Sequence, residues 1–144
     1  MKWQIRQAVL NDIEQLVSLD PIAAKEVGRR VQIEQAVATH ECWVACAADD
    51  PLVPIGYGCL DKRFFGEWFI SLVVVSDAHR RSGAGRQIVA HLEACTASKR
   101  IFTSTNRSNS PMRQLLEQLG YQRSGKIENL DLDDSELIFV KFLD

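Results

Sequence analysis

The sequence predicts a mixed α/β domain of the α+β kind, with one sheet of about six to seven strands and about four helices. Three observations predict it. An apolar, β-branched run from Trp68 through Val75 has strand length and reads as the central strand. It ends in the polar turn Ser76-Asp77-Ala78-His79-Arg80-Arg81-Ser82-Gly83, and a helical pattern of Ile88, Val89, Leu92 and Cys95 follows at once. Strand-like alternation and helical periodicity then trade places along the rest of the chain. With 144 residues and no repeat, low-complexity tract or linker, the chain 1–144 reads as one domain long enough to bury a core.

Each element has its own local reason. Trp3 to Val9 alternates and reads as a strand. Asn11 is the expected N-cap of the first helix, with Glu14 three residues on in the manner of a capping box. Asp20-Pro21 should stop that helix. A second helix is expected from Ala24 or Arg29 to about Thr39, with Val31, Ile33 and Val37 apolar and Gly28 as an interruption. Glu41–Ala48 reads as a strand, Asp49-Asp50-Pro51 as a turn, and Pro54–Leu60 as the next strand. Phe65-Gly66 marks another turn. The central strand, Trp68–Ser76, is apolar at both parities and is expected to be buried on both faces. Helices are expected over Gly85–Ala97 and Asn109–Leu119, and strands over Arg100–Ser104, Tyr121–Leu130 and Glu136–Leu143. The last two strands are joined by the acidic link Asp131-Leu132-Asp133-Asp134.

Bulk properties narrow the function classes. The chain is 46% hydrophobic and 25% charged, the composition of a globular protein. A net charge of −2 argues against a general nucleic-acid binder. No apolar run approaches the ~20 residues of a membrane span. The opening Met1-Lys2-Trp3-Gln4-Ile5-Arg6 lacks the apolar core of a secretion signal, so a cytoplasmic location is expected. Cys42, Cys46, Cys59 and Cys95 have no metal-ligand spacing and lie in apolar surroundings, which suits buried free thiols. His40, His79 and His91 are scattered, and no metal is expected.

The turn after the central strand carries the chemistry. Arg80-x-x-Gly83-x-Gly85 opens a helix, whose first N–H groups lack intrahelical partners and whose dipole favours an anion. Gly83 and Gly85 lack a Cβ, so a bulky anion can approach the main chain. Arg80, Arg81 and Arg86 add guanidinium groups suited to phosphate oxygens. A dinucleotide fingerprint would need a third glycine where Ile88 stands, and a Walker A loop would need Gly-Lys-Ser/Thr, which the chain lacks. The plain alternative is a solvated strand-to-helix turn.

On these residues the chain resembles the GNAT superfamily of N-acetyltransferases, which places Gln/Arg-x-x-Gly-x-Gly/Ala after its fourth strand. A second motif agrees: Asn109, a helix, then Gly120-Tyr121 at the family's spacing. Pro111 suits the helix start and Gly120 suits the C′ position. Ile5-Arg6-Gln7-Ala8 with Asn11-Asp12-Ile13-Glu14 resembles the family's first strand and helix. The likeness runs from about Trp3 to Leu143. It implies a single GNAT-type domain with a twisted, mostly antiparallel central sheet. It further implies acetyl-coenzyme A (acetyl-CoA) as co-substrate. The pyrophosphate would lie on Arg80, Arg81, Ser82, Gly83, Ala84, Gly85 and Arg86. The pantetheine arm would run along the backbone of Val73 and Val75, and Asn109 would touch the cofactor as well as cap its helix.

The implied reaction is direct transfer of an acetyl group to a primary amine of a small metabolite, peptide N-terminus or protein lysine, within a ternary complex. A lysine-type amine has a pKa near ~10.4 and must lose a proton before attack. Glu67, just before the central strand, is the candidate base. The histone-modifying relatives carry theirs nearer Phe69, and Asp61 and Glu41 are further candidates. A solvated Glu67 at a strand start is the plain alternative. The family's frequent acid, a tyrosine, is replaced here by Leu116, which lies on an apolar stripe with Met112, Leu115 and Leu119. Ser110 or a water is the candidate acid, and Tyr121 reads as a packing residue. Asn106 lies past a strand end. The acidic segment Glu128, Asp131, Asp133, Asp134 and Glu136 has the charge to attract a cationic amine.

The expected partner is therefore a small-molecule or peptide amine, with no nucleic acid and no membrane, and the sequence leaves a homodimer open. A different class of function stays in play because of Leu116: a non-catalytic acyl-CoA binding or sensor module. Transfer of a longer acyl chain, or transfer to a hydroxyl, is a third reading.

Overall fold

Strands form at the alternating and β-branched runs, and helices form over Ala84–Cys95 and Ser110–Gln118, where apolar residues repeat at helical spacing. The computed structural model describes residues 3–144; Met1 and Lys2, the start of the stretch read above for a leader, lie outside them. In order, the elements are β1 (Trp3–Gln7), α1 (Ile13–Leu19), α2 (Val27–Ala38), β2 (Cys42–Ala47), β3 (Asp50–Phe64), β4 (Glu67–Val75), α3 (Ala84–Cys95), β5 (Arg100–Asn106), α4 (Ser110–Gln118), β6 (Gln122–Asp131) and β7 (Asp134–Phe142). The strands are hydrogen-bonded in the order β1-β2-β3-β4-β5-β7-β6. The β1–β2, β2–β3, β5–β7 and β6–β7 pairs are antiparallel, and β4–β5 is parallel. This is the mixed, mostly antiparallel α/β sheet with helices that the sequence predicts.

The chain divides into two compact units. One runs up to Leu60 and adds Leu72–Ala94; the other is Asp61–Ser71 with Cys95–Asp144. The core of the first unit gathers Leu16, Ile33, Val37, Cys42, Val44, Cys46, Tyr57 and Cys59, with Leu72 and Val74 packed against them. Alternation along β3 sends Tyr57 and Cys59 to this face and Gly56 and Gly58 to the other. There α3 packs its buried Ile88 and Leu92. A Cβ on Gly58 would lie 2.5 Å from Ile88 Cγ2 and 3.1 Å from Leu92 Cδ1, and one on Gly56 would lie 2.9 Å from the Val74 carbonyl oxygen. The two glycines therefore set how closely α3 lies on the strand.

In the second unit α4 is fixed at both ends. The Asn109 Oδ1 accepts the Met112 N–H at 3.3 Å, as an N-cap should. At the other end the Tyr121 N–H reaches the Leu116 carbonyl at 2.9 Å and the Gly120 N–H reaches that of Glu117 at 3.1 Å, with Gly120 at φ +93°. That is a Schellman closure. Leu116 is fully buried, while Met112, Leu115 and Leu119 are only half-buried, so the apolar stripe is narrower than expected.

Several expectations need correction. Asp12, not Asn11, ties the start of the first helical segment. Its carboxylate accepts the Val9 N–H at 2.8 Å and the Arg6 guanidinium at 2.8 and 2.9 Å. Gly28 sits inside the first turn of α2 without interrupting it, and Val31 is exposed. Asp50-Pro51 belongs to a fifteen-residue β3 rather than to a turn. The irregular β2–β3 register around Cys46 and Ala47 accommodates the prolines. β5 extends to Asn106. Most consequentially, β4 is not buried on both faces. Only Ile70 is buried, and the other residues of the strand are partly exposed.

Cys42, Cys46 and Cys59 are buried and form no disulfide, as expected, and Cys95 is half-buried. Among the described residues no group of His, Cys, Asp or Glu has metal-binding geometry, and no helix is long and apolar enough to cross a membrane.

Gly58→Ala is expected to lower stability by about 1–3 kcal/mol, because the added methyl forces Ile88 and Leu92 to shift. Urea unfolding midpoints of the two proteins measure it, and an unchanged midpoint would mean that α3 has room to spare.

Candidate active site

The chain leaves β4 at Val75, and the Ser76 N–H is held by the Ile55 carbonyl at 2.8 Å. A single 3-10 turn, Asp77–His79, follows, with Ser76 Oγ and His79 Nδ1 at 2.8 Å. Ser82 Oγ then donates to the His79 carbonyl at 2.5 Å. On either side of Ser82 the backbone enters the left-handed region, at Arg81 (φ +60°) and at Gly83 (φ +85°). For arginine this conformation costs of order 1–2 kcal/mol, so the surrounding contacts must hold it. Turns with left-handed residues at a helix start are one way that proteins build anion-binding concavities. The helix α3 starts at once, and its first hydrogen bond runs from the Gln87 N–H to the Gly83 carbonyl at 3.0 Å. The N–H groups of the preceding turn lack intrahelical acceptors.

Trp3 is the contact that holds this turn, and sequence reasoning missed it. Its indole Nε1 donates to the Ser82 carbonyl at 3.2 Å, and its ring meets His79 edge-on at 5.6 Å. Its backbone N–H donates to Gln87 Oε1 at 2.7 Å. One residue of β1 thus ties the turn and the first helical turn together. No local signal in the sequence links positions 84 residues apart.

The turn fits a diphosphate. A Cβ on Gly83 would meet nothing within 4 Å, so the space over the loop is open. Arg80, Arg81 and Arg86 are exposed, whereas Ala84 is buried beneath the turn. Arg80 pairs with Asp77 at 3.1 Å, both well exposed, a contact worth little in water. Val73 and Val75, upstream on β4, are partly exposed. The ladder between β4 and β5 comprises Phe69↔Phe102 and Ile70↔Thr103, and β4 continues from Ser71 to Val75 beyond those two pairs.

The first unit also holds a buried charged group. Asp20, 1% exposed, accepts Tyr57 Oη at 2.5 Å, Arg29 Nη1 at 2.8 Å and the Ile22 N–H at 3.0 Å. Burial, reinforced by hydrogen bonding to Asp20, pushes the Tyr57 hydroxyl far above its ordinary range, so it remains a neutral donor. This network fixes the segment between α1 and α2. Tyr57 lies 37 residues from Asp20 in sequence, and none of the three side chains belongs to a motif.

In the second unit Glu67 is engaged by Arg100, Nε to Oε1 at 2.9 Å and Nη2 to Oε2 at 3.0 Å. The guanidinium holds the carboxyl below its ordinary range. A carboxylate so held stays ionised and is a weak base. Asn109 caps α4 as described, and Ser110, exposed in the first turn of α4, accepts a hydrogen bond from Arg113 Nη2 at 3.2 Å. Ser104 Oγ donates to Glu136 Oε2 at 2.7 Å, and Asn106 Nδ2 donates to Asp131 Oδ2 at 2.8 Å. An open cavity of about 520 Å³ beside the β6–β7 hairpin is lined by Glu128, Asp131, Asp133 and Asp134 together with Arg107 and Lys126, so its charge is mixed.

Comparison with known proteins gives this strand–turn–helix unit a family. The profile of the acetyltransferase (GNAT) family matches residues 10–121, and the chain belongs to that family. Its members are acyltransferases that use acetyl-CoA. A GNAT-family acetyltransferase from Bacillus cereus ATCC 10987 has a similar structure, with 28% identity, a TM-score of 0.88 and coverage of 100% of this chain and 99% of that one. Ard1 from Thermoplasma volcanium shares the fold at 15% identity and a TM-score of 0.85, covering 100% and 99%. So does a chain of the NatC complex, solved bound to Gag peptide and CoA, at 16% identity and a TM-score of 0.75, covering 100% of each chain. No curated protein sequence gives a significant match.

Tyr57→Phe is expected to cost about 1.5–3 kcal/mol, since it removes one donor from a buried carboxylate. Thermal or urea unfolding measures it, and a change below about 0.5 kcal/mol would show that Arg29 and the Ile22 N–H suffice.

Proposed function

We propose that this protein is an acetyl-CoA-dependent N-acetyltransferase acting on a primary amine. The observation that carries the reading is the half-exposed apolar strand β4 running into a turn, left-handed at Arg81 and Gly83, that Trp3 clamps at the start of α3. The NatC structure, with its bound Gag peptide and CoA, supports a CoA ligand and a peptide amine as one acceptor class; a small amine is the other.

Acetyl-CoA would supply the activated acetyl group. The backbone N–H groups from Arg81 to Gly85 and the side chains of Arg80, Arg81, Ser82 and Arg86 would hold its diphosphate. The part-exposed stretch of β4 at Val73 and Val75 would offer backbone partners to the amide-bearing arm, and Asn109 is the further cofactor contact that the resemblance implies. Ser110 is the acid in this reading, its hydroxyl made a better donor by the Arg113 guanidinium. Glu67, the base candidate from sequence, is a better anchor for Arg100 than a base, so solvent carries the acceptor proton. One observation favours the non-catalytic reading as well: Leu116, fully buried, stands where the family often has its tyrosine acid.

The test is release of free CoA thiol with acetyl-CoA and a panel of primary amines and peptides. Acceptor-dependent release establishes the transferase; cofactor binding with no release from any acceptor supports the sensor. In the same assay Glu67→Gln is expected to leave the shape of the pH–rate profile between about pH 6 and 9 unchanged. Loss of the rise toward high pH would make Glu67 the base after all.

A further inference from the structure

The carbonyls of Ser82 and Gly83 are both tied down by one circuit of hydrogen bonds. Trp3 Nε1 donates to the Ser82 carbonyl at 3.2 Å. The Trp3 backbone N–H donates to Gln87 Oε1 at 2.7 Å. The Gln87 N–H returns to the Gly83 carbonyl at 3.0 Å. Trp3 is itself seated at the start of β1, opposite Ala47 of β2, and is 8% exposed. Its indole is therefore fixed by the sheet and by α3 together. In a trans peptide the carbonyl and the following N–H point in opposite directions. The Ser82 carbonyl points at the buried indole, so the Gly83 N–H points away from it. Gly83 is exposed, and a Cβ there would meet nothing within 4 Å.

The plane of this peptide is the soft point of the turn. Rotating it by half a turn would carry Gly83 from φ +85° to a negative φ, and both regions are open to glycine. The rotated peptide would put the Ser82 carbonyl oxygen where the Gly83 N–H had been. A donor would become an acceptor, with partial negative charge facing any anion over the loop. We infer that Trp3 is a positioning residue for the cofactor diphosphate: its indole N–H holds the Ser82–Gly83 peptide in the orientation that offers the Gly83 N–H to a phosphate oxygen. This rests on the acetyl-CoA reading above and adds to it the residue that aims one of the donors. Trp3 acts through the Ser82 carbonyl, not by contact with the ligand. Arg80, Arg81 and Arg86 add charge from exposed side chains. The indole instead sets a backbone direction, and a preorganised donor loses less entropy on binding than one that must turn into place.

Titration of acetyl-CoA into the full chain labelled with 15N-glycine, followed by proton–nitrogen NMR beside calorimetry, tests this. In the wild type the Gly83 N–H signal is expected to move downfield as acetyl-CoA saturates the protein. Trp3→Phe keeps a ring in place and removes the indole donor. It is expected to bind acetyl-CoA about tenfold more weakly, the usual loss for one hydrogen bond to a charged group, and to lose most of the Gly83 shift. Circular dichroism and thermal melts show whether the variant is folded. If it is not, the same readings are taken from Gln87→Ala, which opens the circuit at a partly exposed residue and is expected to act in the same direction. A wild type that takes up no acetyl-CoA would overturn the cofactor reading and this inference with it. A wild type that binds acetyl-CoA while the Gly83 N–H signal stays still would overturn this inference alone. So would a folded variant with the wild-type affinity, or one that binds more weakly but keeps the full Gly83 shift, since the indole would then act on stability only.

Discussion

The close seating of α3 on β3 is the constraint on which the rest depends. Gly58 leaves no room for a methyl group under Ile88 and Leu92, and Gly56 leaves none beside the Val74 carbonyl. A helix held at that distance has its first turn fixed relative to the end of β4, with the connecting turn closed over only eight residues. Moving α3 outward by the width of a methyl would carry the N–H donors of its first turn away from the strand that precedes them. Core packing and the proposed anion site are therefore one arrangement, in which the apolar face of α3 locates the polar tip.

Around that tip the energetics run in opposite directions. The left-handed Arg81 and the clustered arginines are unfavourable for an empty surface. Trp3 offsets them by joining Ser82, His79 and Gln87 at once. A preorganised turn loses less entropy when a ligand arrives, which is why strain held by packing suits a binding loop. The half-exposed β4 continues the same logic, since apolar surface kept open at mid-sheet is available to an extended ligand.

Local signals were legible in the sequence, and non-local ones were not. The Arg80-x-x-Gly83-x-Gly85 turn, the Asn109 cap and the Gly120 closure each rest on a few adjacent residues whose backbone needs are specific, and each formed where the pattern placed it. The start of β3 was misread because Asp49-Asp50-Pro51 has turn composition, while the irregular pairing with β2 lets prolines lie in the strand. The exposure of β4 was misread because apolar composition reports what a strand tolerates, whereas burial depends on what packs against it. The Trp3 clamp, the Asp20–Arg29–Tyr57 network and the Glu67–Arg100 pair join residues brought together only by folding, so no spacing announces them. The glycines of β3 lie between the two cases: an i, i+2 glycine pair in an apolar strand is visible, but its partner helix is not.

The most direct test of the account is calorimetric titration of acetyl-CoA into the wild type and into a variant carrying both Arg80→Ala and Gly83→Val. The account predicts saturable binding by the wild type and its loss in the folded variant, because the variant removes a guanidinium and places a β-branched side chain in a left-handed turn. A folded wild type that takes up no acetyl-CoA, or a variant that binds as tightly as the wild type, would contradict it.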